Sequence, residues 1–157
     1  MSAHRRFFFR DLRDDREGAD EEEDRNASHE NNSSAKLVEM NWSAIGAVLL
    51  GIAVMFGAFG AHALRDRLDA YSMGIWEKAV FYHFVHALGM LVAPVIAPRA
   101  ANAVGVLLFA GILLFSGSLY ALALTGLRTL GAVTPLGGLA FIGAWLWLAV
   151  DLFRSKG

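Results

Sequence analysis

The fold is decided by residues 100–127, which read AANAVGVLLFAGILLFSGSLYALALTGL and contain no charged side chain. A helix of this length, rising 1.5 Å per residue, is more than long enough to cross a hydrocarbon core of about 30 Å. The apolar residues run continuously and do not alternate with polar ones, which disfavours a membrane β-strand. The stretch therefore predicts a transmembrane helix.

Three further uncharged stretches of at least 20 residues lie at 42–61, 79–98 and 129–150. Hydrophobic residues make up 55% of the chain and charged residues 18%, whereas a soluble domain carries about a quarter charged residues. A buried helix of a soluble protein could explain one such run, but hardly four. The predicted fold is an all-α membrane protein, a bundle of four transmembrane helices at roughly 42–61, 73–98, 102–126 and 131–153.

Charge divides the chain into two parts. Residues 1–41 hold 7 of the 14 Lys and Arg residues and 11 of the 15 Asp and Glu residues. A segment so polar cannot bury enough apolar surface to offset its ordering entropy, so we predict a disordered tail at 1–41 and a membrane domain at 42–157. No basic stripe suggests a nucleic-acid partner. The predicted partner is the lipid bilayer, together with self-association or a larger membrane complex.

Residues 62–78 join the first two predicted spans and show an amphipathic pattern. Their apolar residues Leu64, Leu68, Tyr71 and Ile75 recur at steps of four, three and four, while the charged residues fall on other faces. This pattern predicts a short amphipathic segment at the membrane interface. Ser72 is a candidate cap for the helix of the second span.

Small residues recur at every fourth position in two of the spans. Such rows allow the backbones of neighbouring helices to approach closely in lipid. The two rows are Ala53, Gly57 and Ala61 in the first span, and Gly117, Ala121 and Thr125 in the third.

The basic residues near the span ends are balanced between the two sides of the membrane. Lys36, Arg99, Arg154 and Lys156 fall on one side, and Arg65, Arg67, Lys78 and Arg128 on the other. This four-to-four count does not fix the orientation by the positive-inside rule. The six further arginines of the tail favour both termini in the cytoplasm, with the chain in a bacterial inner membrane.

Three motifs of the chain resemble the DUF423 family, which includes small bacterial inner-membrane proteins and the eukaryotic transmembrane protein 256. They are GAFGAHAL at 57–64, LFSGSLY at 114–120 and TPLGG at 134–138, with His86-Ala87-Leu88 as a further match. The resemblance covers roughly residues 43–153, in the family's order. It implies a four-helix membrane protein and no particular activity.

Threading four spans through a bilayer brings these motifs to the half of the bundle away from the tail. This topology predicts a polar cluster of His62, His83, His86, Ser116, Ser118, Tyr120 and Thr134. We expect His62, His86 and Tyr120 to be partly buried between helices, because an imidazole facing lipid has no hydrogen-bond partner. Structural hydrogen bonding is the favoured role, and three imidazoles that bind zinc, copper or haem iron are the alternative.

Three functions remain open at this point. The first is a structural or accessory membrane component, which the small-residue rows and the scarcity of ionisable groups in the spans favour. The second is a transporter or channel, although the tail-proximal halves of the spans are too apolar for a continuous pore. The third is a metal- or haem-binding membrane protein. No nucleophile motif supports an enzyme, and no catalytic residue, metal ligand set or cofactor is predicted.

Overall fold

A computed structural model of the protein describes residues 40–155. The predicted disordered tail lies outside the described residues, except for residues 40 and 41. Five α-helices form the described part: α1 Trp42–Phe59, α2 Ala70–Ile96, α3 Ala101–Gly111, α4 Gly117–Thr125 and α5 Thr134–Arg154.

Short helical turns of other types extend or join these helices. A π-helical turn at Gly60–Leu64 continues α1, a second at Ile112–Ser116 joins α3 to α4, and a 3₁₀ turn at Arg128–Ala132 precedes α5. Four segments are therefore long and apolar enough to cross a membrane. They are span one Trp42–Leu64, span two Ala70–Ile96, span three Ala101–Thr125 and span four Arg128–Arg154. The predicted four-helix membrane fold is confirmed.

Polar side chains and one glycine set the helix ends. The side chain of Asn41 accepts a hydrogen bond from the backbone N–H of Ala44 and so caps α1. Span three ends at Gly126, whose positive φ of 70° is a backbone conformation that glycine adopts without strain.

The cap of α2 differs from the prediction. Asp69 takes this place, because its carboxylate accepts a hydrogen bond of 2.7 Å from the backbone N–H of Ser72. Hydrogen bonds from Ser72 hold the pKa of the Asp69 carboxyl below its usual value. Ser72 is therefore the donor to the cap, and the prediction that it is itself the cap is wrong.

Residues 62–78 keep their amphipathic character but do not form a helix of their own. They divide into the end of the first π-helical turn, a bend at 65–69 and the first turns of α2. Leu64, Leu68 and Ile75 pack in one apolar cluster with Trp76, whereas Tyr71 is exposed. The cap at Asp69 starts α2 at Ala70, so the second half of the predicted segment, residues 70–78, belongs to span two.

The core of the bundle consists of two clusters. The larger one fills the half that contains the start of span one, the end of span two and the start of span three, and it includes Trp42, Met90, Val104 and Leu108. Span one packs mainly against span two, and span four against span three. Such pairwise packing is expected where consecutive spans are antiparallel neighbours.

Glycines allow the closest helix contacts. A Cβ at Gly46 would lie 2.7 Å from the backbone nitrogen of Leu91, and one at Gly137 would collide with the backbone of Phe115. Two of the three residues of the row predicted in span one pack within the bundle, because Ala53 is fully buried and a Cβ at Gly57 would lie 3.5 Å from Val80 of span two, whereas Ala61 is exposed.

In the row predicted in span three, Gly117 makes no close contact with another described span. A Cβ at Gly117 would meet only the carbonyl oxygen of Ile112, in the same span, at 3.9 Å. The glycines of span three that do pack tightly are Gly105, against the indole of Trp42, and Gly111, against the ring of Phe141. A four-residue spacing aligns Gly117, Ala121 and Thr125 on one side of the helix, but it does not determine whether that side faces a neighbouring span, and Thr125 is exposed.

Candidate functional site

The predicted polar cluster divides into three local arrangements at one half of the bundle. In the first, Nδ1 of His83 lies 3.3 Å from the hydroxyl of Tyr120 and joins span two to span three. Both side chains are buried, and His83 is only 3% exposed. The other ring nitrogen of His83, Nε2, is buried and has no hydrogen-bond partner among residues 40–155.

Two aromatic side chains of spans one and two surround this pair. The ring of Tyr120 stands edge-on to Phe56 at 4.8 Å between centroids, and it lies 4.7 Å from the ring of Trp76. The indole N–H of Trp76 donates a 3.0 Å hydrogen bond to the carbonyl oxygen of Phe56. The close fit depends on Gly60, since a Cβ there would lie 2.5 Å from the indole nitrogen.

The second arrangement belongs to His86. Its Nδ1 lies 2.6 Å from the carbonyl oxygen of Tyr82, and because a carbonyl can only accept, Nδ1 is the protonated nitrogen. The imidazole is stacked on the ring of Phe141 in span four, with 3.3 Å between centroids and 11° between planes. His83 and His86 therefore serve different helix contacts, although they are only three residues apart.

The third arrangement joins span three to the start of span four. The hydroxyl of Ser118 donates to the carbonyl oxygen of Phe115 at 2.9 Å. This uses its only proton, so the hydroxyl of Thr134, also 2.9 Å away, donates to Ser118. Ser116, in the second π-helical turn, is fully buried, and its hydroxyl has no hydrogen-bond partner in the described part of the chain.

His62 does not join the cluster. It lies in the first π-helical turn and is exposed, so the prediction that it is partly buried between helices is wrong. This turn directs Gly60 and Leu64 into the bundle and leaves His62 on the outside. Residues 40–155 contain no group of three His, Asp or Glu side chains able to hold a metal ion. The hypothesis of a metal or haem site on three imidazoles therefore lacks its ligands.

Sequence analysis missed Phe56 and Trp76, which form the walls of the first arrangement. Both lie in or beside apolar stretches, where an aromatic residue is most often part of the core or of the interfacial belt. The only available signal was Gly60 in the GAFGAHAL motif, because glycine in a membrane helix often marks the close approach of a large neighbour.

Comparison with known proteins gives one family and several close relatives. The family model described as "Protein of unknown function (DUF423)" matches residues 56–138. A UPF0382 membrane protein of Staphylococcus haemolyticus is 47% identical over 116 residues, which cover 72% of this chain and 95% of the relative. Another, YwdK of Bacillus subtilis, is 44% identical over 111 residues, or 68% of this chain and 90% of the relative. No solved structure matches.

Proposed function

Since the chain belongs to the DUF423 family of membrane proteins, we propose that it serves the membrane as a structural or accessory component that binds other membrane helices. One observation carries the proposal: span one keeps small residues on an outer face that nothing in the described bundle covers. Ala47 and Gly51 are exposed on this face, and a Cβ at Gly51 would meet no atom within 4 Å.

The contrast with Gly46 gives this observation its weight. Gly46 lies only five residues before Gly51 in the same helix, yet it is buried against the backbone of span two. Packing inside the bundle therefore explains Gly46 but not Gly51. Small residues four apart on a lipid-facing surface allow another helix to approach closely, and close approach is what drives association in lipid. Span one is also the least buried of the four spans, which leaves its outer face available.

The interior of the bundle supports the same proposal over a transporter. In the described spans the buried polar side chains are His83, His86, Ser116 and Ser118. Three of them are engaged in hydrogen bonds within the bundle, and the fully buried side chains of the other half are apolar. Conduction of ions or polar solutes needs polar groups along the whole path. A transporter or channel therefore has less support than a structural or accessory component.

We propose that the protein lies in a bacterial inner membrane with both termini in the cytoplasm. Bacterial relatives that are named membrane proteins support a bacterial membrane as the location. Four crossings return the end of the chain to the side of its beginning, and the arginines of residues 1–41 favour the cytoplasmic side for both.

A photo-crosslinking experiment in native membranes tests the association. We expect a crosslinker at position 47 of the full chain to capture a protein, either a second copy or another membrane protein. The same crosslinker at position 139 should capture none. Leu139 is also exposed but lies on span four.

Two glycine variants make the test specific. Gly51→Leu should abolish the adduct at position 47, because the larger side chain separates the helices. Gly74→Leu is the matched control and should leave the adduct intact, since a Cβ at Gly74 also meets nothing within 4 Å. Equal adducts at positions 47 and 139, or an adduct that survives Gly51→Leu, would reject the proposal. Solute uptake by proteoliposomes that contain only this chain would favour the transporter.

A further inference from the structure

An open groove runs along the outside of span four towards the turn that joins spans two and three. Its volume is about 570 Å³. Three charged residues line it: Arg99 of the turn, and Asp151 and Arg154 of α5. The remaining lining residues are Gly143, Leu146, Trp147 and Val150. The groove thus combines a charged end with an apolar floor.

The charged end favours an anion. Arg99 and Arg154 are both exposed, whereas Asp151 is half-buried, so the lining carries a net charge of one positive unit. Two guanidinium groups from different elements can each donate paired N–H groups, and this geometry suits phosphate oxygens better than a single ammonium does. A phosphate group, with its several acceptor oxygens, is an anion that two arginines can bind together.

The apolar floor indicates that the phosphate belongs to a lipid. Gly143 lies eleven residues before Arg154, a distance of about 16 Å along a helix. This is close to the thickness of one leaflet's hydrocarbon, about 15 Å. The missing side chain at Gly143 keeps the deep end open, and Trp147 is of the type that sits at the headgroup boundary. A free phosphate ion would use the arginines and leave this floor unused.

We propose that the groove binds one anionic glycerophospholipid, with its phosphate between Arg99 and Arg154 and an acyl chain along Gly143, Leu146 and Val150. The site lies outside the bundle and away from the polar cluster. It is independent of the outer face of span one, so the two proposals can fail separately.

Lipid retention by the purified full chain tests the site. The chain is equilibrated with mixed micelles of phosphatidylglycerol and phosphatidylcholine, and native mass spectrometry measures the copies of each lipid that remain bound. We expect phosphatidylglycerol to be retained over phosphatidylcholine. Each of Arg99→Gln and Arg154→Gln should weaken its retention about fivefold, which corresponds to one surface charge near an anionic lipid. Asp151→Asn should strengthen retention, since it removes the one repelling charge of the groove.

Two further variants distinguish a specific lipid-binding site from attraction of the lipid by general surface charge. Arg128→Gln removes an exposed arginine from the other end of the bundle and should leave retention unchanged. Gly143→Leu keeps both arginines but fills the floor, and it should lower retention of phosphatidylglycerol. The fold should tolerate this change, because a Cβ at Gly143 would meet only the side chain of Leu107, at 3.9 Å.

The outcomes that overturn the proposal are specific. Equal losses for Arg128→Gln and Arg99→Gln would mean that net charge alone attracts the lipid. Displacement of the lipid by inorganic phosphate, or full retention by Gly143→Leu, would mean that the arginines bind phosphate without using the apolar floor. The micelle measurement does not depend on which side of the membrane this end faces.

Discussion

The two ring nitrogens of His83 have different surroundings. Nδ1 faces the hydroxyl of Tyr120, and Nε2 is buried with no hydrogen-bond partner among the described residues. A buried polar group that loses its hydrogen bond incurs the full cost of its desolvation, and in lipid no water replaces the partner. The Tyr120 hydroxyl is thus the only side-chain partner that keeps His83 from being wholly unsatisfied in the described bundle.

Tyr120→Phe should therefore destabilise the bundle by about 1–3 kcal/mol, because it leaves both nitrogens of His83 without a partner while the aromatic ring stays in place. Unfolding in mixed detergent, followed by circular dichroism, measures the change. Tyr71→Phe removes the same hydroxyl from a side chain that is 74% exposed, and it should have little effect. Equal stability of the Tyr120 variant and the wild type would mean that the His83–Tyr120 contact contributes nothing.

At the level of elements, the second π-helical turn determines which residues of span three face the bundle. Its hydrogen bond runs from the backbone N–H of Gly117 to the carbonyl oxygen of Ile112, five residues back. One additional residue in a turn rotates the rest of the helix by about 100° relative to a continuous α-helix. Ser116 is buried within the turn itself. Beyond the turn, Ser118 faces Thr134 of span four and Tyr120 faces His83 of span two, so both are buried although they are spaced two apart.

The contact between spans one and two depends on Gly46. Gly46→Ala should lower the stability of the bundle, since the new Cβ would lie 2.7 Å from the backbone nitrogen of Leu91 and the helices must separate. The expected loss is about 1–3 kcal/mol, as for other overpacked cores. Thermal unfolding in detergent is the measurement.

Gly51→Ala is the matched control for this substitution. It lies in the same helix and faces open space, so it should leave the stability unchanged or raise it by up to about 1 kcal/mol through better helix propensity. If both alanine variants behaved alike, the close approach of spans one and two at Gly46 would be contradicted.

For the whole molecule, four crossings require residues 67 and 155 to face opposite sides of the membrane. The chain contains no cysteine, so Arg67→Cys and Ser155→Cys each supply a single reactive thiol at an exposed position. With both termini in the cytoplasm, a membrane-impermeant maleimide added to intact cells should label position 67 alone. After permeabilisation it should label both positions.

Each alternative topology gives a different labelling pattern. Labelling of position 155 alone in intact cells would reverse the proposed orientation. Labelling of both or of neither before permeabilisation would contradict an odd number of crossings between the two positions, and with it the four-span fold.

Hydropathy was sufficient for the number, order and approximate ends of the spans, because bilayer thickness fixes the length of every crossing helix. It also placed the motifs of spans three and four at one half of the bundle, where Ser118 meets Thr134. The rotation of each helix about its axis is a different matter, since it follows from packing. Two π-helical turns leave His62 outside and bury Ser116, and contacts with Phe56 and Phe141 separate His83 from His86. These contacts arise between residues far apart in the chain, so only the assembled bundle decides them.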